Sequence, residues 1–284
     1  VSKWFRAGLA GLLLLLAAGG LGASPANAYT SSTDVVFVHG YGNCQNPWIS
    51  GSGPLLTQYN WRHEPVAKLH AIEYYGCDWG GESIVGAGPD NAIYYPDTVD
   101  DNAQNSDIRH LGYELAWYLW NHFAAKGLPV DLVGHSMGGL IITYALQRVA
   151  AHDPRFPPRL TVPTVVTFST PFAGANVGCA PSVECSQLEP GSSFLAAVRA
   201  AGAPQLTGGT LWLLMGSSAG CDAVPATSSL ALARTTWRVD YHSPCYTHTG
   251  YAWDTSAAGN ATGTVNGKAW TGAHSLAFMA WALR

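Results

Sequence analysis

Four short apolar runs recur along the 284-residue chain: "DVVFVHG" (34–40), "PVDLVGH" (129–135), "TVPTVVTFSTP" (161–171) and "TLWLLMGS" (210–217). Their β-branched and leucine residues follow one another without polar alternation, the pattern of strands buried on both faces. Between the first two lies "SDIRHLGYELAWYLWNHFAAKG" (106–127), in which Ile108, Leu111, Leu115, Leu119 and Phe123 recur every three or four residues. That spacing predicts an amphipathic helix closed by Gly127 and Pro129. Strands alternating with helices predict an α/β fold, with a mostly parallel central sheet and helices on both faces, and argue against a sandwich. "TTWRVDY" (235–241) is the last strand expected, and "HSLAFMAWALR" (274–284) a final packing helix. The Gly-, Pro- and aromatic-rich segments 42–55 and 76–97 read as rim loops. Residues 172–209 are longer than a simple crossover needs and read as a small inserted cap or lid.

Residues 1–28 carry Lys3 and Arg6, an apolar run over 9–18 and a terminal Ala-Asn-Ala. They read as a secretory signal peptide cleaved after Ala28, leaving a single catalytic domain over 29–284. The apolar run is shorter than the roughly 20 residues of a membrane span, so no transmembrane segment is expected after cleavage. Cleavage would leave 12 basic against 18 acidic residues, a net charge of −6. Without a Lys/Arg cluster, nucleic acid is not an expected partner. The expected state is a secreted monomer. All six cysteines lie beyond residue 28, and an even count in an exported chain favours disulfides. The simplest pairing joins sequence neighbours: Cys44–Cys77, Cys179–Cys185 and Cys221–Cys245. Zinc is not expected, since neither C-x-x-C nor H-E-x-x-H occurs. The aspartates of "YYPDTVDDN" (94–102) read as a solvated turn, and Asn260 heads an N-A-T sequon.

One residue interrupts the apolar pattern where the second strand meets a helix. Ser136 stands in "GHSMG" (134–138), with small residues around it that permit a sharp strand-to-helix bend. Such a bend lifts the hydroxyl out of the packed sheet at the carboxyl edge of the strands, in front of a helix amino terminus. These are the requirements of a nucleophile: exposure, and donors in place for the charge that forms on attack. The backbone N–H of Met137 is one candidate donor. The loop "FVHGYGN", following a strand parallel to this one, offers the N–H of Tyr41 as a second.

A serine needs a base to take its proton and a carboxylate to fix the base's tautomer, and at such a bend the chain order is serine, acid, base. Past Ser136 the aspartates are Asp153, Asp222, Asp240 and Asp254, and the histidines are His152, His242, His248 and His274. His152 and Asp153 follow the helix too closely to return to the strand ends. Asp222 lies just after "TLWLLMGS" and fits the acid. His248, in the loop after "TTWRVDY", fits the base, with His242 as the alternative on the rim of that strand. His274 reads as a surface or capping residue, and His39 and His135 as loop braces. A Cys221–Cys245 bridge would tie the acid loop to the base loop.

With "VFVHGYGN", "GHSMGG", "FSTPFAG", "GCDAVP" and "YTHTGY" in this order, the sequence resembles the secreted bacterial lipases and esterases of the α/β-hydrolase superfamily, from about Asp34 to Tyr251. The resemblance implies Ser136 as nucleophile, Asp222 as acid, His248 as base, and Tyr41 and Met137 as oxyanion donors. It also implies hydrolysis of apolar carboxylic esters, including acylglycerols, without a cofactor or metal. Phe172 stands where these lipases commonly carry a histidine in T-P-H-x-G. The same residues would serve a polyester depolymerase or an acyltransferase, and a silent binding protein could keep the fold.

Overall fold

The computed structural model describes residues 33–42, 48, 68–75, 81–89, 106–176, 178, 182–254, 256 and 259–283. The leader 1–28, Cys44, Cys77, Cys179 and the 94–102 aspartates lie outside them. Among the described residues nine strands form one sheet: β1 (Asp34–Val38), β2 (Leu69–Glu73), β3 (Glu82–Ser83), β4 (Val130–His135), β5 (Thr164–Phe168), β6 (Leu211–Ser217), β7 (Trp237–Ser243), β8 (Ala261–Val265) and β9 (Lys268–Gly272). Their spatial order is β3-β2-β1-β4-β5-β6-β7-β8-β9. All neighbours up to β7 pair in parallel, and β8 and β9 are antiparallel. The helices are α1 (Ile108–His122), α2 (Met137–Ala150), α3 (Val183–Leu188), α4 (Ser193–Ala201), α5 (Ala226–Ser229), α6 (Gly250–Trp253) and α7 (Ser275–Ala282).

Successive residues of each inner strand feed two different cores, as the two-residue period of a strand requires. Val36 and Val38 of β1, Leu132 of β4, Val165 of β5 and Leu214 of β6 pack with α1, α2 and α4. Val35, Phe37, Val133, Val166 and Leu213 pack on the other face, with α6 and α7. The continuous apolar runs of the sequence are the consequence of this double burial. Helix α1 begins where Asp107 accepts the N–H of Arg109, and the chain turns out of its 3-10 extension at Gly127, φ 74°. The closing glycine matches the sequence reading.

Three expectations need correction. "TTWRVDY" is not the last strand: residues 261–272 add a hairpin. Its turn, Asn266-Gly267, has φ of 51° and 77°, the left-handed pair that twists two strands into register. The 76–97 region contributes β3, which pairs with β2. Strand β2 was itself unforeseen, because it is short and carries a polar His70. The His70 ring lies between Asp34 Oδ1 (3.1 Å) and Glu82 Oε1 (2.7 Å), cross-linking the first three strands.

The described part of 172–209 forms α3 and α4 and is fastened to the helical layer. Gln187 accepts the Ile108 N–H and donates to Asp107, while Gln147 of α2 donates to the carbonyls of Val198 and Gly202. The order of strands reverses direction between β1 and β4. At such a switch point the loops leaving two neighbouring strands diverge to opposite faces, and a crevice opens at their carboxyl ends. The loop after β1 carries Gly40 and Tyr41, and β4 ends at His135, next to Ser136.

Asp131 lies inside this sheet, 3% exposed, and accepts the N–H of Thr164. Burial pushes its pKa up to about 7, against the opposing effect of the Thr164 hydrogen bonds. The folded protein therefore holds a proton that the unfolded chain releases from about pH 4 upward, so stability falls between about pH 4 and 7 and levels off above. Asp131→Asn keeps an acceptor for Thr164. In urea unfolding it should match the wild type near pH 4 and exceed it by up to about 4 kcal/mol above pH 7; a gap independent of pH would contradict the assignment.

Candidate active site

Ser136 joins β4 to α2 with φ 54° and ψ −128°, a conformation that costs a non-glycine residue of order 1–3 kcal/mol. The surrounding glycines show why the chain is held there. A Cβ on Gly138 would lie 2.2 Å from the Val38 carbonyl oxygen and 2.3 Å from that of His39, and one on Gly134 would lie 2.7 Å from Gly139. Helix α2 thus enters directly against the end of β1, which only residues without side chains allow. A Cβ on Gly40 would meet the Ser136 Cβ at 2.6 Å, so the loop after β1 runs beside the serine.

The Ser136 Oγ lies 2.9 Å from His248 Nε2, and His248 Nδ1 lies 2.9 Å from Asp222 Oδ1. With the Nδ1–H donated to the carboxylate, the Nε2 lone pair faces the serine hydroxyl, the arrangement that lets an imidazole accept its proton. The sequence left His242 open as an alternative; it sits on β7, half-exposed, 3.7 Å from Asp240. The Asp222 side chain is fully buried. Burial alone would raise its pKa, but hydrogen bonds from His248, Ser169 and the Val224 N–H hold it below the usual carboxylate range. It is therefore ionised at neutral pH.

Three neighbours support this line of groups. His135 donates Nε2–H to the His248 carbonyl at 2.7 Å. Burial first, and the nearby His248 second, pull its pKa down to about 3, so it is a neutral brace, the role its sequence position suggested. Ser169, which the sequence reading passed over, donates to Asp222 Oδ2 at 2.6 Å. Tyr74 donates to the carbonyls of His39 and Gly40 at 2.7 and 3.1 Å, and a stacked His39 ring lies 4.0 Å away. In a trans peptide the N–H points opposite the carbonyl, so Tyr74 fixes the direction of the Tyr41 N–H. Among the described residues neither that N–H nor the N–H of Met137 has an acceptor. No group of His, Cys, Asp and Glu suited to a metal ion occurs among them either.

The sequence matches the family described as "Alpha/beta hydrolase family" over residues 35–274. The chain belongs to the alpha/beta hydrolase family. No curated protein sequence matches it. Among solved structures, Aspergillus fumigatus lipase B is similar with a TM-score of 0.50 at 13% identity, over 79% of this chain and 50% of that one. Mature Bacillus licheniformis lipase BlEst2 gives 0.40 at 16% identity, over 69% of this chain and 70% of its own. Legionella pneumophila phospholipase PlaB gives 0.41 at 13% identity, over 65% of this chain. The hydrolase spans only 38% of the length of PlaB. At these identities the likeness is one of fold.

Two further parts of the hydrolase close around His248. Cys221 and Cys245 are bridged, with Cα atoms 5.5 Å apart, so the residue before Asp222 is tied to the loop of His248. Cys185 is also disulfide-bonded, while Cys44, Cys77 and Cys179 lie outside the described residues. His274 departs from its expected surface or capping role. It caps no N–H and is 8% exposed, with Nδ1 2.5 Å from Asp254 and Nε2 2.6 Å from Asn260. Tyr246 donates to the same carboxylate, so the cluster braces the segment on either side of His248 from behind. Among the described residues no helix is long and apolar enough to cross a membrane.

The bridge closes a stretch with a sequence separation of 24, for which chain entropy gives about 3.5 kcal/mol. The Cys221→Ser/Cys245→Ser double variant is expected to lose about 2 to 4 kcal/mol in urea unfolding. Equal stability would mean that the bridge constrains nothing.

Proposed function

We propose that this hydrolase is an exported esterase or lipase that cleaves apolar carboxylic esters through an acyl-serine intermediate. The observation that carries the reading is the unbroken hydrogen-bonded line from Ser136 Oγ through His248 to Asp222, with 2.9 Å at each link. Ser136 is the nucleophile. Its Oγ attacks the ester carbonyl as His248 Nε2 takes the hydroxyl proton, and the imidazolium formed is stabilised by the Asp222 carboxylate. The N–H groups of Tyr41 and Met137 receive the oxyanion, and α2 supplies the positive end of its dipole at the same place. Collapse of the tetrahedral intermediate breaks the ester C–O bond, and the alcohol leaves with the proton held on Nε2. Water then attacks the acyl-serine, giving a proton to His248; collapse of this second intermediate breaks the acyl–Oγ bond, releases the carboxylic acid, and returns the proton from Nε2 to Ser136. No cofactor enters this sequence.

Export is supported by the leader-like residues 1–28 and by a disulfide that belongs to an oxidising compartment. Apolar ester substrates fit a chain with no concentration of basic residues to capture an anion.

A chain-length series of p-nitrophenyl esters, run beside labelling with a fluorophosphonate, tests the reading. The wild type should be labelled at Ser136. Ser136→Ala and His248→Ala should lose at least about 1,000-fold in kcat while remaining folded, and His242→Ala should keep wild-type activity. A wild type that is neither labelled nor active on any ester would overturn the proposal, and loss of activity in the His242 variant alone would overturn the choice of base.

A further inference from the structure

We propose that Ser169 is a positioning residue that holds Asp222 and His248 in their working orientation, so that the proton-accepting line has four members rather than three. The inference rests on the assignment of Ser136, His248 and Asp222 given above. Ser169 is the first residue beyond β5 and is fully buried. Its Oγ lies 2.6 Å from Asp222 Oδ2 and 3.0 Å from His248 Nδ1, touching both partners of the Asp–His pair. The hydroxyl has one proton and two lone pairs. Because ionised Asp222 only accepts, the proton goes to Oδ2, and a lone pair is left facing the Nδ1–H that His248 shares with Oδ1. One hydroxyl therefore fixes the roll of the carboxylate and the tilt of the ring together.

The remaining contacts of Asp222 make this hydrogen bond hard to replace. Its Oδ1 already receives His248 Nδ1–H and the Val224 N–H at 2.9 Å. Oδ2 receives the Ser169 hydroxyl at 2.6 Å, and the buried Tyr251 phenol also interacts with this carboxylate. A buried carboxylate oxygen that loses its donor keeps its desolvation cost without compensation. The groups facing the pair include the neutral His135, whose ring is 4.9 Å from that of His248, and the buried phenol of Tyr251.

The backbone makes the same point independently. Ser169 has φ 49°, a left-handed conformation uncommon for a residue with a side chain. Its N–H donates to the Met215 carbonyl of β6 at 2.9 Å, and the carbonyl of its neighbour Phe168 accepts the N–H of Ser136 at 2.9 Å. The kink therefore adjoins the nucleophile's own backbone, and it turns the Ser169 hydroxyl back toward the acid loop. Glycine would adopt this geometry without strain, so a serine here points to a use for its hydroxyl.

Two variants separate the hydroxyl from the backbone. Ser169→Ala removes the oxygen and keeps the strained φ; Ser169→Gly removes the oxygen and relieves it. Both should fold and show kcat reduced about 10- to 100-fold with KM within about twofold, the loss of one hydrogen bond to a charged group. Fluorophosphonate labelling at Ser136 should slow by a similar factor yet reach completion, and the low-field Nδ1–H proton resonance of His248 should shift. Wild-type kcat and labelling rate in both variants would overturn the proposal, as would a loss in Ser169→Ala that Ser169→Gly restores. Failure of the wild type itself to label would instead overturn the hydrolase reading on which this one stands.

Discussion

The approach of α2 to the end of β1 is the constraint on which the rest of the molecule depends. Gly138 leaves its backbone against the Val38 and His39 carbonyls, with no room for even a methyl group. That contact sets how sharply the chain bends after β4, and the bend forces Ser136 into its left-handed geometry. Strain of this kind persists only where the surroundings over-determine it. Here the parallel ladders of β4 with β1 and β5, continued by the Ser136 N–H to Phe168, supply that support. The same contact brings Gly40 beside the serine, so Ser136 and the loop proposed to receive the oxyanion are positioned by one packing event.

Electrostatics around the histidine follow a single logic. A carboxylate with no exposed surface is stable only if donors surround it, and Asp222 receives hydrogen bonds from an imidazole, a hydroxyl and a backbone N–H. Burial keeps the second imidazole, His135, neutral, and the Tyr251 phenol is likewise driven up by burial and by the charge of Asp222. No second positive charge competes for the carboxylate within this cluster, so its field is directed at the ring that shares a proton with Ser136.

Much of this was legible in the sequence, because the signals are local. Strands β1, β4, β5 and β6 announce themselves by apolar runs that only double burial explains, and α1 by its three-to-four-residue apolar spacing and closing glycine. Ser136 is betrayed by its glycines, and chain order narrows the acid and the base. What stayed hidden depends on distance or on polar substitution. Strand β2 carries His70, whose ring lies between carboxylates on the two adjacent strands, and this polar residue breaks the apolar pattern. Ser169 has its partners 53 and 79 residues away and looks from sequence like the end of a strand. His274 looked like a helix cap because it directly precedes α7, yet it turns inward to Asp254. The β8–β9 hairpin carries a local turn signal, Asn266-Gly267, that the sequence reading passed over.

The segment from Cys245 to His248 is gripped at one end by a sulfur bridge on the surface and at the other by a buried imidazole that holds its carbonyl. A loop pinned twice within four residues has almost no travel. The proposed proton acceptor is therefore stationary, and in that reading discrimination between molecules by size falls to the walls of the crevice.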